Sequence, residues 1–203
     1  MDVPATIFRQ YDIRGTTGDQ LTPALARAVG AAFVTFAHER LGRAPSIALG
    51  LDNRPSGPSL ADAVAQGIVA AGGSVVEIGV LPTPALYFAT HVLAVDGGLQ
   101  VTGSHNPPEF NGFKMVLAGE AVYGDDIQRL YQLISGDRLD RGAGGRRSSD
   151  SSVLAAYRAA IVRRNTPLPR RVKVVVDCGN GVTSLVAIET LRELGCDVVP
   201  LFA

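Results

Sequence analysis

The chain has 203 residues, 46% of them hydrophobic, with 19 basic and 19 acidic side chains, which bounds it to a globular chain of one or two domains. A formal net charge of +0 gives no electrostatic reason for a nucleic acid or an anionic membrane as partner. No apolar run has the length of a bilayer span and no basic, then apolar, then small-residue leader opens the chain, so a cytoplasmic location is expected.

Strand-like and helix-like runs alternate, the pattern of βαβ units with parallel strands and an α/β class. Thr22-Pro23 is a cap and first-turn signal for a helix with Leu25, Val29, Ala32, Phe33 and Phe36 on one face, ending near Leu41-Gly42. Ile47 to Leu51 reads as a strand, Pro58 to Ala71 as a helix and Ser74 to Ile78 as the next strand. Thr83-Pro84 repeats the cap signal for a helix through Leu93. Phe113 to Leu117 and Ala121 to Tyr123 flank Gly119 as a hairpin, and Asp125 starts a helix through Ile127, Leu130 and Ile134. The pair Asp125-Asp126 is most simply a cap with a favourable helix-dipole contact.

Residues 138–152 are dominated by Gly, Ser, Asp and Arg and read as a linker or long surface loop. A helix with Val153, Leu154, Tyr157 and Ile161 on one face follows, and Pro167 and Pro169 stop it before a strand from Val172 to Asp177. A Gly-rich turn, a helix (Ala187, Ile188, Leu191, Leu194) and another strand come next. Asp52 and Asp177, like Val75 and Val198, hold equivalent places, so a second copy of the first fold begins here. Gly179-Asn180-Gly181 is a tight strand-to-helix turn, since Ser184 stands where a dinucleotide fingerprint needs its third glycine. Cys178 and Cys196 fit neither a redox pair nor a metal-ligand spacing and are expected to be free, buried thiols. His38 and His91 lie in helical segments without partners and read as structural.

The informative segment is Thr102-Gly103-Ser104-His105-Asn106-Pro107-Pro108, continuing through Asn111-Gly112-Phe113-Lys114. It follows a buried strand, Gly98-Leu99-Gln100-Val101, which places the Ser104 hydroxyl at a strand's carboxyl end, where open α/β sheets keep their chemistry. A serine hydroxyl needs a base or charge-stabilising neighbours to react at neutral pH. Gly103 allows close backbone approach, Pro107-Pro108 stiffens the loop, and His105, Asn106 and Lys114 bring polar and cationic groups. A serine hydrolase is disfavoured: there is no G-x-S-x-G, and adjacent residues of an extended loop point apart rather than pairing nucleophile with base.

This segment resembles the phosphoserine loop of the α-D-phosphohexomutases, in their phosphomannomutase/phosphoglucomutase branch. Further matches are Tyr11-Asp12-Ile13-Arg14-Gly15, Leu51 to Pro58, Val80-Leu81-Pro82-Thr83-Pro84 and Val174 to Gly181, covering nearly the whole chain in order. The resemblance implies a three-layer α/β/α domain with a mostly parallel mixed sheet over residues 1–137, the 138–152 linker, and the truncated start of a similar domain over 153–203. It implies that Ser104 is phosphorylated at rest and passes its phosphoryl group to a hexose phosphate, making a hexose 1,6-bisphosphate that turns in the cleft and returns its other phosphate. Arg14 and Lys114 would neutralise the transferring group, Lys114 with proton traffic as its other option. Tyr11 would help bind substrate, and His105 and Asn106 would orient loop and phosphate. Mg²⁺ would bind through the Ser104 phosphate. The family's D-G-D-G-D-R metal loop, sugar-reading loop and phosphate-clamping final domain have no counterpart here. Two readings therefore stand: part of an enzyme interconverting 1- and 6-phosphates of mannose or glucose, or a non-catalytic domain that holds phosphate or sugar phosphate. Phosphoglucosamine mutase is disfavoured because that branch usually shows S-A-S-H-N-P.

Overall fold

The computed structural model describes residues 3–166 and 168–203; Pro167, expected with Pro169 to stop a helix, lies outside them. After a 3-10 turn (Ala5–Ile7) come β1 (Ile13–Thr16), α1 (Pro23–Leu41), β2 (Ser46–Leu51), α2 (Gly57–Ala70) and β3 (Ser74–Val80). Then follow α3 (Thr83–Val92), β4 (Gly97–Val101), β5 (Phe110–Leu117), β6 (Glu120–Ala121) and α4 (Asp125–Ser135). The chain continues through β7 (Arg147–Ser149), α5 (Val153–Arg164), β8 (Val172–Asp177), α6 (Ser184–Glu193) and β9 (Cys196–Leu201).

The first seven strands form one sheet in the order β1-β5-β4-β2-β3-β7, with β6 folded back onto β5. β5 alone runs against the others, inserted between β1 and β4, so the sheet is mixed but mostly parallel, as expected. Helices α1, α2 and α4 cover one face, over Ile47, Leu49, Leu99, Phe113 and Met115. On the other face α3 packs through Leu86 and Ala89 against Ala48, Ile78 and Leu81, and Val153 of α5 joins them. These are the three layers of an α/β/α sandwich.

Local chemistry sets the helix ends. Thr22 Oγ1 accepts the Leu25 amide at 3.2 Å, Pro23 fills the first turn, and Gly42 closes α1 in the left-handed region. Burial on α1 exceeds the single expected face, extending through Ala28, Gly30, Ala31 and Val34, because the sheet, α2 and α4 all press on it. Contact with α2 is backbone to backbone: a Cβ on Gly67 would stand 1.9 Å from the Arg27 carbonyl oxygen, and one on Gly30 would stand 2.3 Å from that of Val64.

β8 and β9 make a separate two-stranded parallel sheet with α6 crossing between them, the same strand-helix-strand unit as β2-α2-β3. Helix α5 joins the two parts: its Tyr157 ring lies 5.5 Å from that of Phe88 in α3, and Arg158 pairs with Glu193 of α6 at 2.9 Å. Among the described residues no helix is long and apolar enough to cross a membrane.

Several expectations shift. Residues 138–152 do not trail free: Leu139 packs on the core and Arg147–Ser149 pairs in parallel with β3. Arg147 reaches Glu77 and Asp62, both at 2.6 Å, so backbone and charge, not apolar alternation, hold this edge strand. The hairpin strands are 110–117 and 120–121 rather than 113–117 and 121–123, so Asn111-Gly112-Phe113-Lys114 belongs to β5 and not to the loop. Thr83 is the first helical residue instead of a cap. Asp125 and Asp126 sit in the first turn of α4 without capping it through a side chain, and Asp126 receives Arg40 at 2.6 Å. His38 is not partnerless, since its Nδ1 is 2.8 Å from Asp140. Both cysteines are free, Cys196 buried and Cys178 half-buried.

Candidate functional site

β4 is buried along its length, and one further ladder bond, from the Thr102 amide to the Gly112 carbonyl at 2.9 Å, carries the chain to the sheet's edge. Two tight turns then fold the serine loop, closed by Asn106 N–H to Gly103 O at 3.1 Å and Phe110 N–H to Pro107 O at 3.0 Å. The Ser104 amide donates to Thr102 Oγ1 at 2.9 Å. Ser104 itself has φ 54°, a left-handed conformation that costs a non-glycine residue about 1–2 kcal/mol. In that conformation its hydroxyl reaches the ring of the next residue: Ser104 Oγ and His105 Nδ1 are 3.2 Å apart. The expectation that the two point apart assumed an extended loop, which the left-handed serine replaces.

Arg14 and Lys114 are brought together one strand away. Arg14 faces Gly112 across β1 and β5, and Lys114 faces Gln100 across β5 and β4, so in this antiparallel register both side chains leave the same face of the sheet. The opposite face carries Ile13, Leu99, Val101 and Phe113 into the core. Asp12 accepts from both cations, from Arg14 Nη2 and from Lys114 Nζ at 3.1 Å. Arg14 is 8% exposed and its Nε has no partner. Two cations against one carboxylate leave this cluster with net positive charge. Tyr11, by contrast, is 73% exposed in the turn before β1.

Ser104, His105 and Asn106 line a cleft of about 660 Å³ at the carboxyl ends of β4 and β2, which Asn180 and Gly181 also line. Arg14, Lys114 and Tyr11 do not line it. The turn after β8 closes on the β2-α2 loop through Asn53 Nδ2 to the Asn180 carbonyl, 2.8 Å. The sequence reading missed this meeting, although the repeat spacing that aligns Asp52 with Asp177 was its signal. It also gave no role to Asp52 and Arg54, whose partners lie on the serine loop. Asn111 is fully buried and donates to Ser56 Oγ at 2.8 Å, tying β5 to the start of α2.

Among the described residues no three His, Cys, Asp or Glu side chains cluster as a metal site. Asp52 is committed to Arg54 and Thr102, and Asp12 to Arg14 and Lys114.

Residues 5–140 match the family model of phosphoglucomutase/phosphomannomutase, alpha/beta/alpha domain I, and the chain belongs to this family. It is 44% identical over 201 residues to a phosphomannomutase/phosphoglucomutase of Pseudomonas aeruginosa, an alignment covering 98% of this chain and 42% of that protein. A phosphoglucomutase of Neisseria gonorrhoeae is 38% identical over 197 residues, with 97% and 42% covered. The crystal structure of a phosphoglucomutase/phosphomannomutase family protein from Burkholderia thailandensis superposes with a TM-score of 0.91 at 42% identity, covering 99% of this chain and 44% of that one. The chain thus spans about two fifths of the length of these relatives.

Proposed function

We propose that this chain carries the phosphoryl-transferring serine of a phosphohexomutase that interconverts hexose 1-phosphate and hexose 6-phosphate, of mannose or glucose. The observation that carries the reading is Ser104: a left-handed serine at a strand's carboxyl end, its hydroxyl at a cleft mouth, beside a sheet face with net positive charge.

In this reading Ser104 is phosphorylated at rest. The bond from Ser104 Oγ to phosphorus breaks as a sugar hydroxyl forms its own, the hydroxyl proton leaves, and a hexose 1,6-bisphosphate results. That intermediate turns, and its other phosphoryl group returns to Ser104. The transition state spreads charge over the phosphoryl oxygens, so catalysis is mainly positioning and neutralisation. Arg14 offers a planar fork of donors for that charge and Lys114 a compact ammonium, which serves the same end or takes the hydroxyl's proton. Both must turn part of their bonding from Asp12 toward the phosphoryl group, because Asp12 holds them here. His105 and Asn106 orient the serine and its phosphate, and Tyr11 contacts the sugar phosphate from the exposed turn.

In this reading an oxygen of the Ser104 phosphate would be one ligand to Mg²⁺. Among the described residues no three His, Cys, Asp or Glu side chains cluster to complete the oxygen shell that the ion prefers. The soluble sugar phosphates fit a cytoplasmic enzyme. The second reading, that the 203-residue chain by itself holds a sugar phosphate without turnover, rests on the absence of a metal-ligand cluster among the described residues.

Intact-mass and peptide analysis of the native protein, after incubation with a hexose 1,6-bisphosphate, should find one phosphoryl group, on Ser104. Ser104→Ala should lose it together with mutase activity. An unmodified Ser104, with Ser104→Ala fully active, would remove the reading.

A further inference from the structure

Arg54 has no part in the reaction above, yet four of its five guanidinium donors are bound to the serine loop. A guanidinium has five N–H groups. Nη1 donates to the carbonyls of Pro107 at 2.7 Å and Phe110 at 2.9 Å, and Nη2 to those of Ser104 at 3.0 Å and Asn106 at 2.6 Å. Nε donates to Asp52 Oδ2 at 3.3 Å. No donor remains for a ligand, which separates Arg54 from a phosphate-binding arginine.

Asp52 completes the clamp on the loop's entry. It accepts Thr102 Oγ1 at 2.7 Å, the Gly103 amide at 3.2 Å and the Arg54 amide at 3.0 Å. The guanidinium lies so close under the loop that a Cβ on Gly103 would stand 2.3 Å from Arg54 Cζ, which explains the glycine. Four carbonyl oxygens converging on one point would repel one another and any nearby phosphate; a delocalised cation with a fixed fork neutralises them all. One of the four belongs to Ser104, so the bond to Arg54 restrains the left-handed backbone that aims its hydroxyl.

We infer that Arg54 is a positioning residue, holding the Ser104 loop in the geometry from which a phosphoryl group is transferred. This rests on the function proposed above. In the native protein Arg54→Gln should lower kcat by about 10²-fold, the cost of a misplacement near 1 Å, with KM for hexose phosphate changed by less than about threefold. Arg54→Lys should not restore kcat, because an ammonium cannot reach four carbonyls. In both variants the Asn106 and Phe110 amides should exchange hydrogen faster while those of β4 keep their protection.

A folded Arg54→Gln with unchanged kcat, or one whose loss lies wholly in KM, overturns the inference. Should the variants not fold, the wild type still decides: its Asn106 and Phe110 amides must be protected like that of Thr102, and free exchange there overturns the clamp. Wild-type protein with no phosphoryl group on Ser104 and no turnover fails the proposed function instead, and the exchange measurement then judges Arg54 alone.

Discussion

Asp96 is one of the carboxyls through which this fold responds to acid. The Arg43 guanidinium beside it, helped by the Ser46 amide at 2.8 Å and opposed by partial burial, holds its carboxyl below the ordinary 3.8. A depressed carboxyl stabilises the fold above its unfolded value, and that contribution is lost as pH falls through the folded value. Urea midpoints should therefore drop for the wild type from about pH 4 downward, while Asp96→Asn should be weaker at pH 7 and flatter across that acid window. Parallel curves for the two proteins would show that Asp96 contributes nothing to the acid transition. At this scale a motif named Ser104, His105 and Asn106, which the structure sets together on the cleft, and Arg14 and Lys114, which it sets together on Asp12. Their partners it did not name. The Ser104–His105 contact depends on a positive φ that no local signal announces, and Arg54 acts on carbonyls some 50 residues away, which periodicity cannot report.

Between elements, the closest contact is the crossing of α1 and α2 over Gly30 and Gly67. Alanine at Gly67 would gain about 1 kcal/mol of helix propensity, but its methyl group would enter the Arg27 carbonyl and force the helices apart. Overpacking of this kind costs about 1–3 kcal/mol, so Gly67→Ala should lower the thermal midpoint, as circular dichroism can check; an unchanged or raised midpoint would mean the helices part freely. Helices and central strands were legible because apolar spacing, Thr22, Pro23 and Gly42 all agreed. The edge strand β7 was not, since its three residues, Arg147-Ser148-Ser149, carry no apolar face and are held by β3 and two acidic side chains. The early start of β5 was hidden likewise, because Phe110 and Asn111 read as loop until their pairing with Thr16 and Gly15 is seen.

For the molecule as a whole, Ser104 and the Arg14–Lys114 cluster that the proposed reaction would use are in place, while among the described residues no three His, Cys, Asp or Glu side chains cluster as a metal site. The 203-residue chain, given magnesium, hexose 1-phosphate and a bisphosphate primer, should therefore show no mutase turnover, and robust turnover would refute the assignment of ligands. The alternation of elements and the repeat across Asp52 and Asp177 made the architecture legible, but not the fact that the second turn closes on the first through Asn53 and Asn180. Gly112 on β5 stands opposite Arg14 on β1 and accepts the Thr102 amide after β4, so one strand serves both groups. The Thr102 anchor of the serine loop and the Arg14–Lys114 cluster are fastened to a common beam: if β5 slips or frays, both come loose in the same event. Damage confined to β5 should therefore leave no protein that keeps its Asp12 cluster yet loses the Thr102 anchor.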